Sequence, residues 1–232
     1  MQAKRGFVPK DERYFSPTAL GTLRMASQHI TYLIDNGYDL KQASTFVGDH
    51  FQLSERQRVA IMRSVATSEQ LAGRRAKEIP IERIGGSEVW IDGFNTIITI
   101  EVMLAESTLL SCMDGAVRDL ASLRGTYRLI PASTDAVRLL FDLLRDAGIQ
   151  AATVLLDQPV SNSGRLKGLL DDLGRAYPFA LDTRVQGGVD RSLFGKEHVI
   201  SSDSVVLDHC ASWVNLARRC LELTGRQAIR VW

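Results

Sequence analysis

Four aspartates stand where apolar runs stop. Asp92 ends "EVWID", Asp157 ends "AATVLLD", Asp203 ends "HVISSD", and Asp190 sits in "GGVDRSL" just ahead of the last of these. Carboxylates that leave parallel strands at one sheet edge repel unless a divalent cation neutralises them. An all-oxygen set favours Mg2+ or Mn2+ over zinc. Such a cation can lower the pKa of a bound water and stabilise charge developing on a phosphoryl group. Asp208, five residues past Asp203, lies about one turn inside a helix that opens at Ser204, and can complete the set. Each acid also has a plain structural alternative. Asp92-Gly93 can be a turn, Asp157 the exit before Gln158-Pro159, Asp190 an exposed loop residue, and Asp203 an N-cap for the first free N–H groups of a helix.

Other residues suit a substrate. "DQPVSNSGRLKG" offers Ser161, Ser163, Arg165 and Lys167 at a helix entrance, where phosphates bind. It lacks the glycine spacing and Lys-Ser/Thr pair of a Walker motif, and capping alone explains it too. Arg118 and Arg124 are the basic residues selected for substrate contact, although Asp114 and Arg118, one turn apart, also read as a surface ion pair. Glu101 interrupts an apolar run and faces either the acidic edge or an exposed strand surface. The histidines have no ligand spacing. His209 and Cys210, adjacent on a helix, point in different directions and make a poor nucleophile pair. No dinucleotide fingerprint follows the first strand, which disfavours a Rossmann dehydrogenase.

These side chains need a scaffold. Ahead of them the pattern is helical. Ser16 caps and Pro17 opens a run with Leu20, Leu23, Ile30, Leu33 and Ile34 at helical spacing, closed by Asn36-Gly37. Asp39 caps a shorter helix stopped by Gly48. Ser54 and Gln57 have capping-box spacing at the start of a longer one with Val59, Met62 and Ala66 inside. Its outer face, with Arg56, Arg63, Arg74, Arg75 and Lys77, would set arginines against phosphates if the pair is a helix-turn-helix. The alternative is a solvated face on a three-helix bundle. Pro80 and Gly85-Gly86 divide a helical domain, residues 1–80, from residues 87–232.

Beyond that boundary strands and helices alternate. "EVWID", "AATVLLD", "FALDT" and "EHVISSD" read as strands, and "QAIRVW" as a last one. "TDAVRLLFDLLRDAG" and "SGRLKGLLDDLG" read as helices, "SVVLDHCASWVNLARRCLELTG" as one long helix, and "NTIITIEVMLAESTLL" as either state. Helical crossovers between strands imply a mainly parallel sheet covered on both faces, a three-layer α/β/α arrangement.

The 232 residues, 45% hydrophobic and 24% charged, support a substantial core. No run is apolar enough to span a membrane, and the basic N-terminus has no apolar stretch behind it, so no secretory signal is expected. Three scattered cysteines without a CxxC pair fit reduced thiols in a cytoplasm. Residues 1–80 carry 12 Lys+Arg against 8 Asp+Glu, and residues 81–232 carry 16 against 19. A basic front and acidic back suit a polyanion grip joined to a metal-binding edge.

The residues also carry a resemblance. "VWIDGFNTIITIE" followed by "GGVDRSLFGKEHVISSDSVVLD" resembles the PIN-like and NYN-type nuclease superfamily, in the positions of Asp92, Asn95, Asp190 and Asp203. The chain as a whole is similar to a prokaryotic, largely archaeal family that joins a helical N-terminal domain of unknown function to a PIN-like C-terminal domain. "LIDNGYDLKQASTFVGDHFQLSERQR" carries the first part of that likeness. The family likeness spans most of residues 16–222 and the nuclease likeness residues 87–222. It implies Mg2+- or Mn2+-dependent ribonuclease chemistry, with Asp92, Asp190 and Asp203 catalytic and Asn95 near the substrate. Two positions depart from the nuclease pattern. Asp208 comes late after the Ser-x-Asp acid, and Gly187-Gly188 replace the lysine often found before Asp190.

The leading expectation is therefore a metal-dependent phosphodiesterase acting on RNA, with a homodimer as a candidate assembly. A catalytically inactive nucleic-acid-binding or regulatory module and a small-molecule phosphohydrolase are the alternatives.

Overall fold

The computed structural model describes residues 4–121 and 125–232. Helices α1 (Asp11–Tyr14), α2 (Pro17–Asp35), α3 (Leu40–His50), α4 (Glu55–Ser64) and α5 (Ser68–Lys77) come first. Then follow β1 (Glu88–Asp92), α6 (Gly93–Leu104), β2 (Leu109–Ser111), β3 (Val117–Asp119), α7 (Pro131–Asp146), β4 (Ala151–Asp157) and α8 (Ser163–Gly174). The remaining elements are β5 (Ala180–Gln186), α9 (Val189–Leu193), β6 (Val199–Ile200), α10 (Ser204–His209) and α11 (Leu216–Thr224).

The expected caps form. Ser16 accepts from the Ala19 N–H and Asp39 from the Gln42 N–H, and Ser54 with Gln57 closes a reciprocal capping box. Where one long helix was expected from Ser54, two are found. The chain leaves α4 at Val65 in an extended conformation and re-enters through a second capping box, Thr67 with Gln70. The inner stripe shifts accordingly, to Ala60, Ile61 and Ser64. Gly48 does not stop α3, which continues to His50.

Strands β5-β4-β1-β6 form a parallel sheet, so the chain is α/β with a mainly parallel sheet behind N-terminal helices. Alternation along the strands sends Val89, Ile91, Ala152, Val154 and Leu156 into a core shared with α6, α7, α8 and α11. Trp90 and Leu155 face the opposite core, made by Val189 and Leu193 of α9, Val206 and Leu207 of α10, and Trp213. The ambiguous segment after β1 is helix α6. A Cβ at Gly93 would lie 2.6 Å from Leu156 Cδ2 and 2.9 Å from the Leu155 carbonyl oxygen. Glycine there lets the helix begin directly against β4.

The expected long last helix is also two, α10 and α11. Between them Trp213 is fully buried, bridges to Val199 and Glu78, and donates its indole N–H to the Arg74 carbonyl at 2.7 Å. "QAIRVW" makes only an isolated bridge, Ile229 with Leu110, not a strand. The short antiparallel pair β2–β3 leans on the helical bundle. Leu110, Cys112, Leu120 and Val231 share one core with Leu23, Ala26, Ile30 and Ile61. Packing thus crosses the position where composition divides the chain.

Candidate functional site

Register explains how the acids meet. Asp92 pairs with Leu155 on β4, and Ile91 with Ile200 on β6. Asp157 therefore projects two residues, about 7 Å, beyond Asp92 along the same edge. Ser201 falls opposite Asp92, and its hydroxyl donates to Asp92 Oδ2 at 2.9 Å. Asp92 shares the parity of Trp90, and Asp157 that of Leu155, so both acids start on the face covered by α9 and α10. Those two helices bring the other acids: Asp190 is the second residue of α9, and Asp203 caps α10.

The electrostatics match this placement. Burial, together with Asp203 and Asp190, pushes the Asp92 carboxyl up to about 7, against the bonds from Ser201 and the Asn95 backbone. Asp190 is raised by burial and by Asp203 and Asp157. Asp157 is raised by burial, with the Val189 N–H partly offsetting it. Each acid is thus destabilised as an anion by its desolvation, and the first two also by their neighbours. Among the described residues, no group of three or more His, Cys, Asp or Glu side chains is gathered closely enough to hold a metal ion.

Asp203 does what an N-cap does: its Oδ1 accepts from Val205 N at 2.8 Å and Val206 N at 3.2 Å. Its Oδ2 has no hydrogen-bond partner among the described residues. Asn95 anchors the neighbouring turn, its Oδ1 accepting the Ser202 N–H at 2.8 Å and the Ser202 hydroxyl at 2.9 Å. Ser201 and Ser202 thus hold the site, a role their bare sequence context "ISSD" signals only once the register with β1 is known.

Several expected site residues serve the fold instead. Asp208 does not join the acidic edge, because Arg74 binds it bidentately at 2.6 and 2.8 Å. Arg118 is buried, donating to Ser202 O at 2.6 Å, Arg63 O at 2.9 Å and the Asp114 carboxylate at 2.6 Å. The Asp114–Arg118 pair is therefore a buried clamp, not a surface pair. Ser161 is bound to the Tyr127 backbone, Ser163 opens α8 with its N–H on the Val160 carbonyl, and Lys167 binds Asp171 and Thr183 O. Ser161 and Lys167 of that loop are thus engaged within the protein, while Arg165 stays exposed at its rim. Arg124 lies outside the described residues. Glu101 is wholly buried on α6 and receives Arg5, Tyr127 and Ser133, so it faces neither the acidic edge nor solvent. Of the α4 arginines, Arg56 turns inward to Asp11 and the Leu120 carbonyl, whereas Arg63 is tied to Asp119 by Nη1 alone and stays partly exposed.

Comparison with known proteins gives families without activities. Residues 81–219 match the family described as "Domain of unknown function (DUF5616)", and residues 22–77 match "Protein of unknown function (DUF434)". The "Uncharacterized protein MJ0935" of the archaeon Methanocaldococcus jannaschii is 29% identical over 186 residues, covering 80% of this chain and 89% of that protein. No solved structure matches the chain.

Proposed function

The chain belongs to the DUF5616 family, and we propose that it is a divalent-cation-dependent phosphodiesterase acting on RNA at its acidic sheet edge. One observation carries the reading: Asp92, Asp190 and Asp203, from three different elements, meet at one edge, where Asp203 and Asp190 oppose the ionisation of Asp92, and Asp203 with Asp157 that of Asp190. Like charges brought together by a fold call for a counter-charge. The donor chemistry fits Mg2+ or Mn2+, being oxygen only, with Asp203 Oδ2 uncommitted among the described residues. Asp92, Asp190 and Asp203 would hold the ion, with Asp157 as a further donor. When bound, the cation supplies an activated water and a Lewis acid for the phosphoryl oxygen.

The chain's own groups prepare this edge. Ser201 fixes Asp92 by its hydroxyl, and the α10 N–H groups fix Asp203 by one oxygen, leaving the other for a ligand. A PIN-like fold for residues 87–232 belongs to the same reading. Its support is the parallel sheet, the Asp92-Gly93-Phe94-Asn95 turn after β1 and the Ser201-Ser202-Asp203 turn after β6.

A second reading, a nucleic-acid-binding or regulatory module without catalysis, is favoured by the N-cap role of Asp203 and the loss of Asp208 to Arg74. Cleavage of a mixed single-stranded RNA in Mn2+ separates the two. The phosphodiesterase cleaves, and Asp92→Asn slows it on the order of 10² or more, as removal of a strong electrostatic stabiliser does. Wild type that cleaves in no divalent metal, or a mutant that cleaves equally well, leaves the binding module.

A further inference from the structure

Between α4 and the acidic edge lies a cavity of about 170 Å3, lined by Met62, Arg63, Asn95, Asp119, Asp203 and Ser204, among others. At roughly 30 Å3 per liquid water it holds about five or six waters. A phosphate group fits such a space. We propose that this cavity is a phosphate subsite in which Arg63, from the helical N-terminal region, grips the substrate phosphate beside Asp203. The helical region then forms one wall of the site instead of a separate nucleic-acid grip. The inference rests on the phosphodiesterase reading for the identity of the substrate, but not for the binding of phosphate itself.

Two donors are set for an anion. Arg63 is held by one nitrogen, Nη1, at 2.5 Å from the Asp119 carbonyl oxygen and 3.6 Å from Asp119 Oδ1. The Asp119 carboxylate is itself occupied by the Thr99 hydroxyl at 3.0 Å and the Ala121 N–H at 2.7 Å. Nε and Nη2 of Arg63 have no hydrogen-bond partner among the described residues. Its side chain is 37% exposed, although its neighbour Arg118 is almost wholly buried. A guanidinium anchored on one side with a free fork suits bidentate binding of phosphate oxygens. The second donor is the Asn95 amide. Because Oδ1 takes both Ser202 hydrogens, Nδ2 must carry its N–H bonds elsewhere, and they have no partner among the described residues. Asp203 stands on the same wall, so a cation held there, as the phosphodiesterase reading has it, would remove the charge that repels the anion.

The test is titration of the full chain with inorganic phosphate, with and without Mg2+, followed through the Asn95 side-chain amide resonances by NMR. Wild type binds, more tightly with Mg2+. Arg63→Met weakens binding about tenfold or more, the loss expected for a charged donor, and Arg63→Lys restores part of it. In RNA cleavage Arg63→Met raises KM while kcat is largely kept. Should Arg63→Met fail to fold, Asn95→Asp, which keeps an acceptor for Ser202 but has no amide to observe, abolishes phosphate binding in its place, read by calorimetry against wild type. A merely structural Arg63 gives a lowered Tm with unchanged phosphate affinity and KM, and that result overturns the proposal, as does the absence of any Asn95 shift. Phosphate bound through Arg63 with no RNA cleavage in any metal leaves the subsite standing and removes the phosphodiesterase. Cleavage with a KM indifferent to Arg63 does the reverse.

Discussion

Two groups of charged side chains adjoin the Ser201-Ser202-Asp203 turn after β6, and they are built on opposite rules. At the seam between the helical region and the sheet, Arg74 joins Asp208 and Asp114, and Arg118 joins Asp114 and the Ser202 carbonyl. Burial alone would push Asp114 up, but the Arg118 and Arg74 guanidiniums overcome it and hold the carboxyl below its ordinary range. At the sheet edge, Asp92, Asp190 and Asp157 have no such partners among the described residues, and all three are raised. The seam is complete without a ligand. The edge is an unbalanced charge that the fold keeps, and it is joined to the seam through Arg118, whose grip on Ser202 steadies the turn that carries Asp203.

The sharpest way to break this contrast is at the seam. Asp114→Asn leaves the buried Arg118 guanidinium without its carboxylate partner and Arg74 with Asp208 alone, and should cost about 3–5 kcal/mol in urea unfolding. A loss below about 1 kcal/mol would mean that the seam is no better matched than the edge. At the edge the same kind of change should help. A carboxyl raised in the folded state stabilises most below its unfolded value of 3.8, and that contribution is lost as pH rises through about 7. The interval corresponds to about 4 kcal/mol at most. Metal-free Asp92→Asn should therefore be more stable than wild type at pH 8, with the gap closing towards pH 4. Melting curves across pH check this, and a mutant that is less stable at pH 8 contradicts it.

Smaller effects sharpen the picture. Asparagine caps helices about as well as aspartate, so Asp203→Asn should change stability by less than about 0.5 kcal/mol. It should still weaken Mn2+ binding about tenfold in calorimetry, the loss of one charged ligand. Equal Mn2+ affinity would reduce Asp203 to its cap. Smallest of all is the effect of Arg56 on RNA binding. Tied to Asp11, it should leave the salt dependence unchanged when mutated to alanine, whereas Arg63→Ala flattens that dependence by about one unit. Equal flattening by both would restore an arginine face open to phosphates.

Local signals in the chain were legible and distant partners were not. Ser16, Asp39 and Ser54 announce their helices, and the ends of β1 and β4 coincide with the acids that close their apolar runs. The break between α4 and α5 was also written locally, in the Thr67–Gln70 spacing, but the apolar stripe around it suggested continuity. The break at Trp213 has only the Asn215 cap of α11 as a local mark, and its buried indole depends on bridges to Val199 and Glu78. Periodicity identified the α4 arginine face without saying what covers it, since Asp11, Leu120 and Asp119 arrive from far along the chain. Asp208 failed for the same reason: its partner Arg74 is 134 residues away.

The bond from the Ser27 hydroxyl to the Val231 carbonyl spans 204 residues and closes the core of the helical region. A ribosome adding about 5–20 residues per second needs roughly 10–40 s to deliver that last partner. Helices α2 to α4 can form early, but their shared interior waits, open on the side that Val231 and β2 later cover. The helical region is therefore made before the sheet that follows it, yet its core is closed only after that sheet has been made.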